Sequence, residues 1–110
     1  MDYKYMVCTL CNTFNHKPFI EDALHGFAIQ RTSFPMVTVV MDDASTDGET
    51  PLLCEWAAEY LDMDADCAYV RDPDYAHVIC APLKDNASHT FVFVMLRENH
   101  YSLNKTKSAY

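Results

Sequence analysis

Short apolar runs alternate with amphipathic stretches along the first sixty residues. Residues 5–11 are mostly apolar without clean alternation, and residues 36–41 are apolar and β-branched, so both predict buried parallel strands. After each run, apolar residues recur at three- and four-residue spacing, which predicts amphipathic helices from Pro18 to about Gln30 and from about Leu52 to Leu61. This order of strand, loop and helix implies right-handed crossovers and a parallel sheet.

The middle of the chain predicts three further strands, at residues 67–70, 76–80 and 90–96, separated by loops at 72–74 and 83–89. We expect an antiparallel hairpin before the third parallel strand. The predicted fold class is therefore α/β, a Rossmann-like sheet that is mostly parallel with an inserted β-hairpin.

Composition and charge narrow the class of protein. The chain has 110 residues, half of them hydrophobic, which fits one domain with a real core and argues against disorder. A net charge of -8 disfavours broad binding to nucleic acid. The apolar runs are too short for a membrane span of about 20 residues, and no signal peptide is recognisable. We expect a cytoplasmic protein, either free or peripheral at the membrane.

The cysteines and histidines give no metal signature. Five cysteines scattered in apolar contexts predict reduced thiols, and Cys8 and Cys11 form a C-x-x-C without the second pair that zinc would need. We expect these two side chains to pack in the core. The five histidines show no ligand spacing, so no metal ligand is predicted among them.

Two polar loops, residues 12–16 and 42–48, follow the first two predicted strands, where open α/β sheets bind ligands. The second loop has three interpretations. It resembles half of a calcium loop, although Cys54 stands where a ligating Glu is required. Alternatively, its Ser, Thr and Asp residues cap the next helix, or the loop binds a ligand. In the first loop, two residues have an interpretation other than ligand contact. Phe14 is alternatively a core residue, and Asn15 is alternatively a cap of the first helix.

The third interpretation comes with a resemblance. Residues 39–48 (VVMDDASTDG) resemble the "VVDDGSTDGT" segment of family 2 glycosyltransferases with the GT-A fold, and residues 7–15 (VCTLCNTFN) resemble their "VSVIIPTYN". The resemblance covers about residues 5–61, and residues 98–102 resemble the family's "N-x-G" segment without its Gly. Within the motifs, Phe14 replaces Tyr, Ala44 replaces Gly, and Asn12 stands where Pro or Thr is commoner.

The resemblance implies a nucleotide-binding site in these two loops. By motif position, Asn12, Thr13, Phe14 and Asn15 would line the nucleoside pocket, and Asp42 and Asp43 would approach the uracil or ribose. The implied partner is a nucleotide-diphosphate sugar, with a UDP-sugar favoured. The implied cofactor of the full-length enzyme is a divalent cation, Mn or Mg. Its D-x-D motif and the carboxylate base for the acceptor are expected beyond Tyr110.

The resulting hypothesis is that residues 1–110 are the incomplete N-terminal part of a GT-A domain of three layers. The full enzyme would invert configuration while transferring a sugar to a saccharide or lipid-linked acceptor, as in cell-surface polysaccharide biosynthesis. This fragment alone is expected to be inactive, and its uncovered sheet edge favours a homo-oligomer. The alternative is a non-catalytic α/β module for nucleotide binding or interaction. A flavodoxin-like or receiver-like module would predict acids after the first strand too, where residues 12–15 carry none.

Overall fold

The computed structural model describes residues 5–65 and 76–96, which form a mixed sheet with two helices. The elements in chain order are β1 (Val7–Thr13), α1 (Lys17–Ala28), β2 (Met36–Asp42), α2 (Glu49–Tyr60), β3 (Ala76–Leu83) and β4 (Asn86–Leu96). The α/β prediction and the order of the first four elements are confirmed. The predictions for residues 67–70, 72–74 and 98–102 lie outside the described residues.

The strands are arranged in the order β1-β2-β4-β3. Strands β1 and β4 both pair in parallel with β2, and β3 pairs antiparallel with β4. The prediction of a mostly parallel sheet with a hairpin is therefore confirmed, with β4 as the third parallel strand. The loop predicted at residues 83–89 is wrong, because β3 runs to Leu83 and β4 begins at Asn86. Antiparallel pairing satisfies the backbone whatever the side chains are, so polar residues at the end of a hairpin can still form strand.

Both helices pack on one face of the sheet. This follows if the connections from β1 to β2 and from β2 to β4 are both right-handed, because both move in the same direction across the sheet. The main core cluster includes apolar side chains from α1, α2 and the centre of the sheet: Ile20, Leu24, Val40, Leu53, Trp56, Phe91 and Phe93. Trp56 lies at its centre, with its ring centroid 5.1 Å from that of Phe91. Each fully buried large apolar side chain contributes about 1.5–3 kcal/mol, so this cluster is the main stabilising feature of the described fold.

Strand β1 forms an edge of the described sheet, and its prediction as a buried strand is wrong. Leu10 is 72% exposed and Met6, directly before the strand, is 74% exposed. Cys11 pairs with Val40 of the core and therefore faces the helices, whereas Leu10 faces the opposite side. An apolar strand is buried only if other strands pair with both of its edges and other elements cover both of its faces. The apolar run itself does not show whether those elements are present.

The cysteines differ from the predicted set of reduced core thiols. Cys8 is exposed, so its predicted core packing is wrong, while Cys11 is partly buried against the main core. Cys8, Cys11 and Cys54 are free, but Cys80 is disulfide-bonded, which corrects the prediction for that residue. An odd count of scattered cysteines excludes a full disulfide framework and still permits a single bond.

The two described helices have 12 residues each. Neither has the length of about 20 apolar residues that a helix needs to cross a bilayer.

Candidate functional site at the carboxyl ends of β1 and β2

Two loops leave the sheet side by side at its carboxyl edge. The first loop (residues 14–16) follows β1, and the second loop (residues 43–48) follows β2. The parallel register places Thr13 opposite Asp42, so the loops begin at the same level. The Asp43 N–H donates to the Thr13 carbonyl oxygen at 2.9 Å and continues the pairing by one residue. The prediction that both loops lie at the carboxyl ends of parallel strands is therefore confirmed.

Asn15 connects the first loop to the second. Its N–H donates to the Ser45 hydroxyl at 3.0 Å, and its side-chain oxygen accepts from the Thr46 N–H at 2.7 Å. Its backbone lies in the left-handed region, with φ of 55°, which Asn tolerates better than most residues. The interpretation of Asn15 as a cap of α1 is wrong, because the N-cap position of α1 is His16 and has no side-chain cap bond.

Ala44 adopts a similar left-handed conformation in the second loop, with φ of 59°. This is the position where the resembling motif carries Gly. A side chain with a Cβ costs about 1–2 kcal/mol in this conformation. The replacement is tolerated because neighbouring bonds hold the turn, and the Ser45 N–H donates to Asp42 at 3.1 Å.

Glu49, which the sequence analysis did not single out, lies buried beneath the two loops. Its carboxylate accepts a hydrogen bond from the His16 N–H at 2.7 Å and a short one from the Thr13 hydroxyl. The Ser45 hydroxyl lies 3.4 Å away. One buried carboxylate thus holds the end of β1, the first loop and the second loop to the start of α2. Its only sequence signal is an acid directly after Asp-Gly, which is common at helix starts.

Asp47, at the surface, also connects the start of α1 to the start of α2. One of its oxygens accepts from the Lys17 N–H at 2.9 Å and the other from the Glu49 N–H at 3.0 Å. The second loop was expected to cap α2 through its side chains, but the N-cap position is Gly48 and has no side-chain cap bond. Asp47, directly before it, bonds the first N–H of the helix instead. Together with Glu49, it also occupies the N–H groups of His16 and Lys17 at the start of α1. These two N–H groups are therefore not available to bind a phosphate.

The two adjacent aspartates have different surroundings. Asp42 is fully buried, and its carboxylate accepts hydrogen bonds from the Ser45 hydroxyl at 2.6 Å and, at short range, from the Thr50 hydroxyl. These bonds fold the second loop back onto α2. Asp43 is only partly buried, so it is the aspartate of the pair that solvent or a ligand can reach more readily.

A cleft of about 280 Å³ opens between β1 and α1 beside the loops. Its walls combine apolar and polar side chains: Cys11, Asn12, Thr13, His16, Phe19, Ile20 and Ala23. Of the six predicted site residues, the cleft includes Asn12 and Thr13. Phe14, Asn15, Asp42 and Asp43 do not line it. Phe14 is 42% exposed, so its interpretation as a core residue is wrong.

The chemistry of this region favours hydrogen bonding over nucleophilic attack. Burial raises the pKa of the Cys11 thiol, and the negative charge of Glu49 raises it further. The thiol therefore stays protonated at neutral pH. Across residues 5–65 and 76–96, no three His, Cys, Asp or Glu side chains converge into a group that could hold a metal ion.

Comparison with known proteins gives a partial match. No family model matches the chain, and no solved structure matches it. The chain is 46% identical over 48 residues to uncharacterized proteins of Mycobacterium bovis and of Mycobacterium tuberculosis strain H37Rv. The match covers 44% of this chain and 14% of each relative. The matching segment therefore corresponds to a small part of these longer proteins.

Proposed function

We propose that the paired loops bind the nucleoside of a nucleotide-diphosphate sugar, as the N-terminal part of an inverting glycosyltransferase of the GT-A type. The observation that carries the proposal is the pair of cross-bonded loops at the carboxyl ends of two neighbouring parallel strands, built from the two segments that resemble the family's motifs. The Asn15 bonds to Ser45 and Thr46 join those segments directly. Fixed loops at this edge of a parallel sheet are the usual setting for a ligand in open α/β folds.

The groups displayed there suit a uridine ligand. The carboxylate of Asp43 can accept hydrogen bonds from the imide N–H of uracil or from ribose hydroxyls. The exposed ring of Phe14 offers a surface for contact with the base. Asn12 is an exposed residue in the wall of the cleft and offers both an amide donor and an acceptor.

The remaining predicted residues serve as supports in this proposal. Thr13 and Asp42 are buried and bonded to Glu49 and to Ser45, respectively. They hold the loops in shape without touching the ligand. The divalent cation and the base that activates the acceptor hydroxyl are proposed to be held by later parts of a full-length enzyme, so sugar transfer by residues 1–110 alone is not expected.

Calorimetric titration with UDP in the presence of Mn²⁺ tests the proposal. We expect saturable binding, and we expect Asp43→Asn to weaken it about tenfold or more, because a charge-assisted hydrogen bond contributes about 1.5–3 kcal/mol. The matched control is Asp85→Asn, an exposed aspartate at the β3–β4 turn that pairs with Arg31. Absence of binding by folded protein at millimolar UDP, or equal affinities of Asp43→Asn and the wild type, would overturn the proposal.

A further inference from the structure

The start of α1 lies where open α/β folds commonly bind phosphate, at the N-terminus of a helix that follows a strand. The first N–H groups of such a helix have no partner within it and are available to a ligand. Here two of them donate to carboxylates of the protein itself. The His16 N–H donates to Glu49 at 2.7 Å, and the Lys17 N–H donates to Asp47 at 2.9 Å. Two carboxylates thus lie where a phosphate would bind.

The remaining N–H groups in the first turn of α1 are also used. Pro18 has no N–H. The N–H groups of residues 19–20 both donate to the His16 carbonyl oxygen at 2.9 Å. Every backbone donor from residue 16 to residue 20 is therefore occupied or absent, and a phosphate at this helix start would have to displace a carboxylate of the protein.

The start of α2 is restricted as well. The Glu49 N–H donates to Asp47 at 3.0 Å, and Pro51 has no N–H. Two of the first three residues of this helix therefore have no free donor. Because Asp47 accepts hydrogen bonds from the starts of both helices, its carboxylate competes with a phosphate at both places.

The charge around the two loops also disfavours a phosphate. Acidic residues are concentrated between the end of β2 and the start of α2, at Asp42, Asp43, Asp47 and Glu49. Lys17, whose ammonium group lies next to Gly48, offsets one of these charges. A free diphosphate is itself anionic, so its approach to this edge of the sheet brings like charges together. Uridine has no charge and avoids this repulsion.

We propose that the candidate site recognises the uncharged nucleoside and rejects free phosphate groups, so that uridine binds at least as tightly as UDP when no divalent cation is present. This inference rests on the proposed function, because it takes the two loops as the binding surface for the base and the ribose. A divalent cation bound to the diphosphate neutralises part of its charge and therefore lessens the repulsion.

Calorimetric titrations with uridine and with UDP test the inference, in EDTA at about 10 mM salt, where charges are screened only beyond about 30 Å. We expect uridine to bind at least as tightly as UDP. Replacing EDTA with Mg²⁺ should tighten the binding of UDP and leave that of uridine unchanged.

The variant Asp47→Asn tests the origin of the selectivity. It removes one negative charge close to the phosphates, so the ratio of UDP affinity to uridine affinity should rise about threefold or more. The uridine affinity of the variant reports whether its loops are intact. Asp85→Asn makes the same change at the β3–β4 turn and is the matched control, whose ratio should stay close to that of the wild type.

The outcomes separate this inference from the proposed function. Tighter binding of UDP than of uridine by the wild type in EDTA would overturn the inference and leave the proposed function standing. A folded Asp47→Asn variant with the wild-type ratio would also overturn it, with far-UV circular dichroism as the check on folding. If neither uridine nor UDP with Mg²⁺ binds at millimolar concentration, the proposed function is overturned, and the inference with it.

Discussion

Strands β1 and β4 lie on either side of β2, and both run parallel to it, but they are held in the sheet by different forces. Residues 89–95 of β4 are all buried, and Phe91 and Phe93 pack against Trp56 of α2. In β1 only Thr13 is buried, and it is bonded to the carboxylate of Glu49. Strand β4 is therefore fixed by packing along its length, and β1 by backbone pairing and by polar bonds at its carboxyl end.

This difference shows that two strands with similar apolar sequences can differ in burial, one in the core and the other at the surface. The β4 side of the sheet supplies the core that keeps the domain folded. The β1 side keeps its apolar residues at the surface and fixes its last residue, which is where the candidate site begins. A site at the end of β1 can thus be rigid without the strand being buried.

The largest expected effect comes from truncating matched apolar side chains in the two strands. Phe93→Ala should lower the free energy of unfolding by about 3–5 kcal/mol, because it leaves a cavity in the main core. Leu10→Ala should change it by less than about 0.5 kcal/mol, because this side chain is mostly exposed. Urea unfolding at low protein concentration measures both. Equal losses would mean that β1 is buried in solution and that the contrast between the strands is wrong.

A smaller effect is expected at the polar attachment of β1. Glu49→Gln should lower the free energy of unfolding by about 1–3 kcal/mol, because the amide cannot replace all the bonds that a buried carboxylate accepts from Thr13 and His16. Glu55→Gln, at an exposed position of the same helix, is the control and should change little. Thermal unfolding of the three proteins side by side gives the comparison, and an unaffected Glu49→Gln variant would show that packing alone holds β1.

The smallest expected effect is a pH dependence that originates in β4. His89 is buried, stacks on Phe91 and shares a 2.6 Å hydrogen bond with the Thr38 hydroxyl through Nε2. Burial lowers the pKa of His89 below its ordinary value of 6.5, and the positive charge of Arg31 lowers it further. The folded state therefore holds a neutral ring, and protonation favours the unfolded chain. The stabilisation that comes from the neutral His89 ring should be fully present above about pH 6.5. Below that pH the free energy of unfolding should fall, by at most about 1.4 kcal/mol per pH unit.

Urea unfolding of the wild type and of His89→Asn between pH 5 and 8 tests this assignment. The difference between their stabilities should shrink as the pH falls, because the variant lacks the group that titrates. His77→Asn, at an exposed position of β3, should run parallel to the wild type. The assignment would be contradicted if the difference in free energy of unfolding between the wild type and His89→Asn stayed constant over this range.

The sequence predicts the elements better than their surroundings. Helices α1 and α2 follow from periodicity because one face of each packs on the core. Strand β2 follows from its apolar, β-branched run because both of its faces are buried. The exposure of β1 could not be predicted, because a run of apolar residues does not show whether a neighbouring strand is present. The early end predicted for β3 failed for a related reason: backbone pairing, rather than side-chain polarity, extends the hairpin to the turn at Lys84 and Asp85.

The candidate site was predicted to a similar degree. The order of strands and helices predicts that both loops lie at strand carboxyl ends, and they do. The hydrogen bonds by which Asn15 joins them were not predicted. The different positions of Asp42 and Asp43 could not be predicted, because adjacent residues in a turn separate only once the chain is folded. Glu49 was missed because its partners, Thr13 and His16, lie more than thirty residues away in sequence.

NMR tests most directly whether the two loops form one nucleotide-binding surface, as we propose. A titration of ¹⁵N-labelled protein with UDP and Mg²⁺, which avoids paramagnetic broadening, reports which backbone amides sense the ligand. We expect concerted, saturable shifts in residues 12–16 and 43–48, with little change at the β3–β4 turn around Asp85. Shifts confined to one loop or centred elsewhere, or no shifts at millimolar UDP, would contradict it.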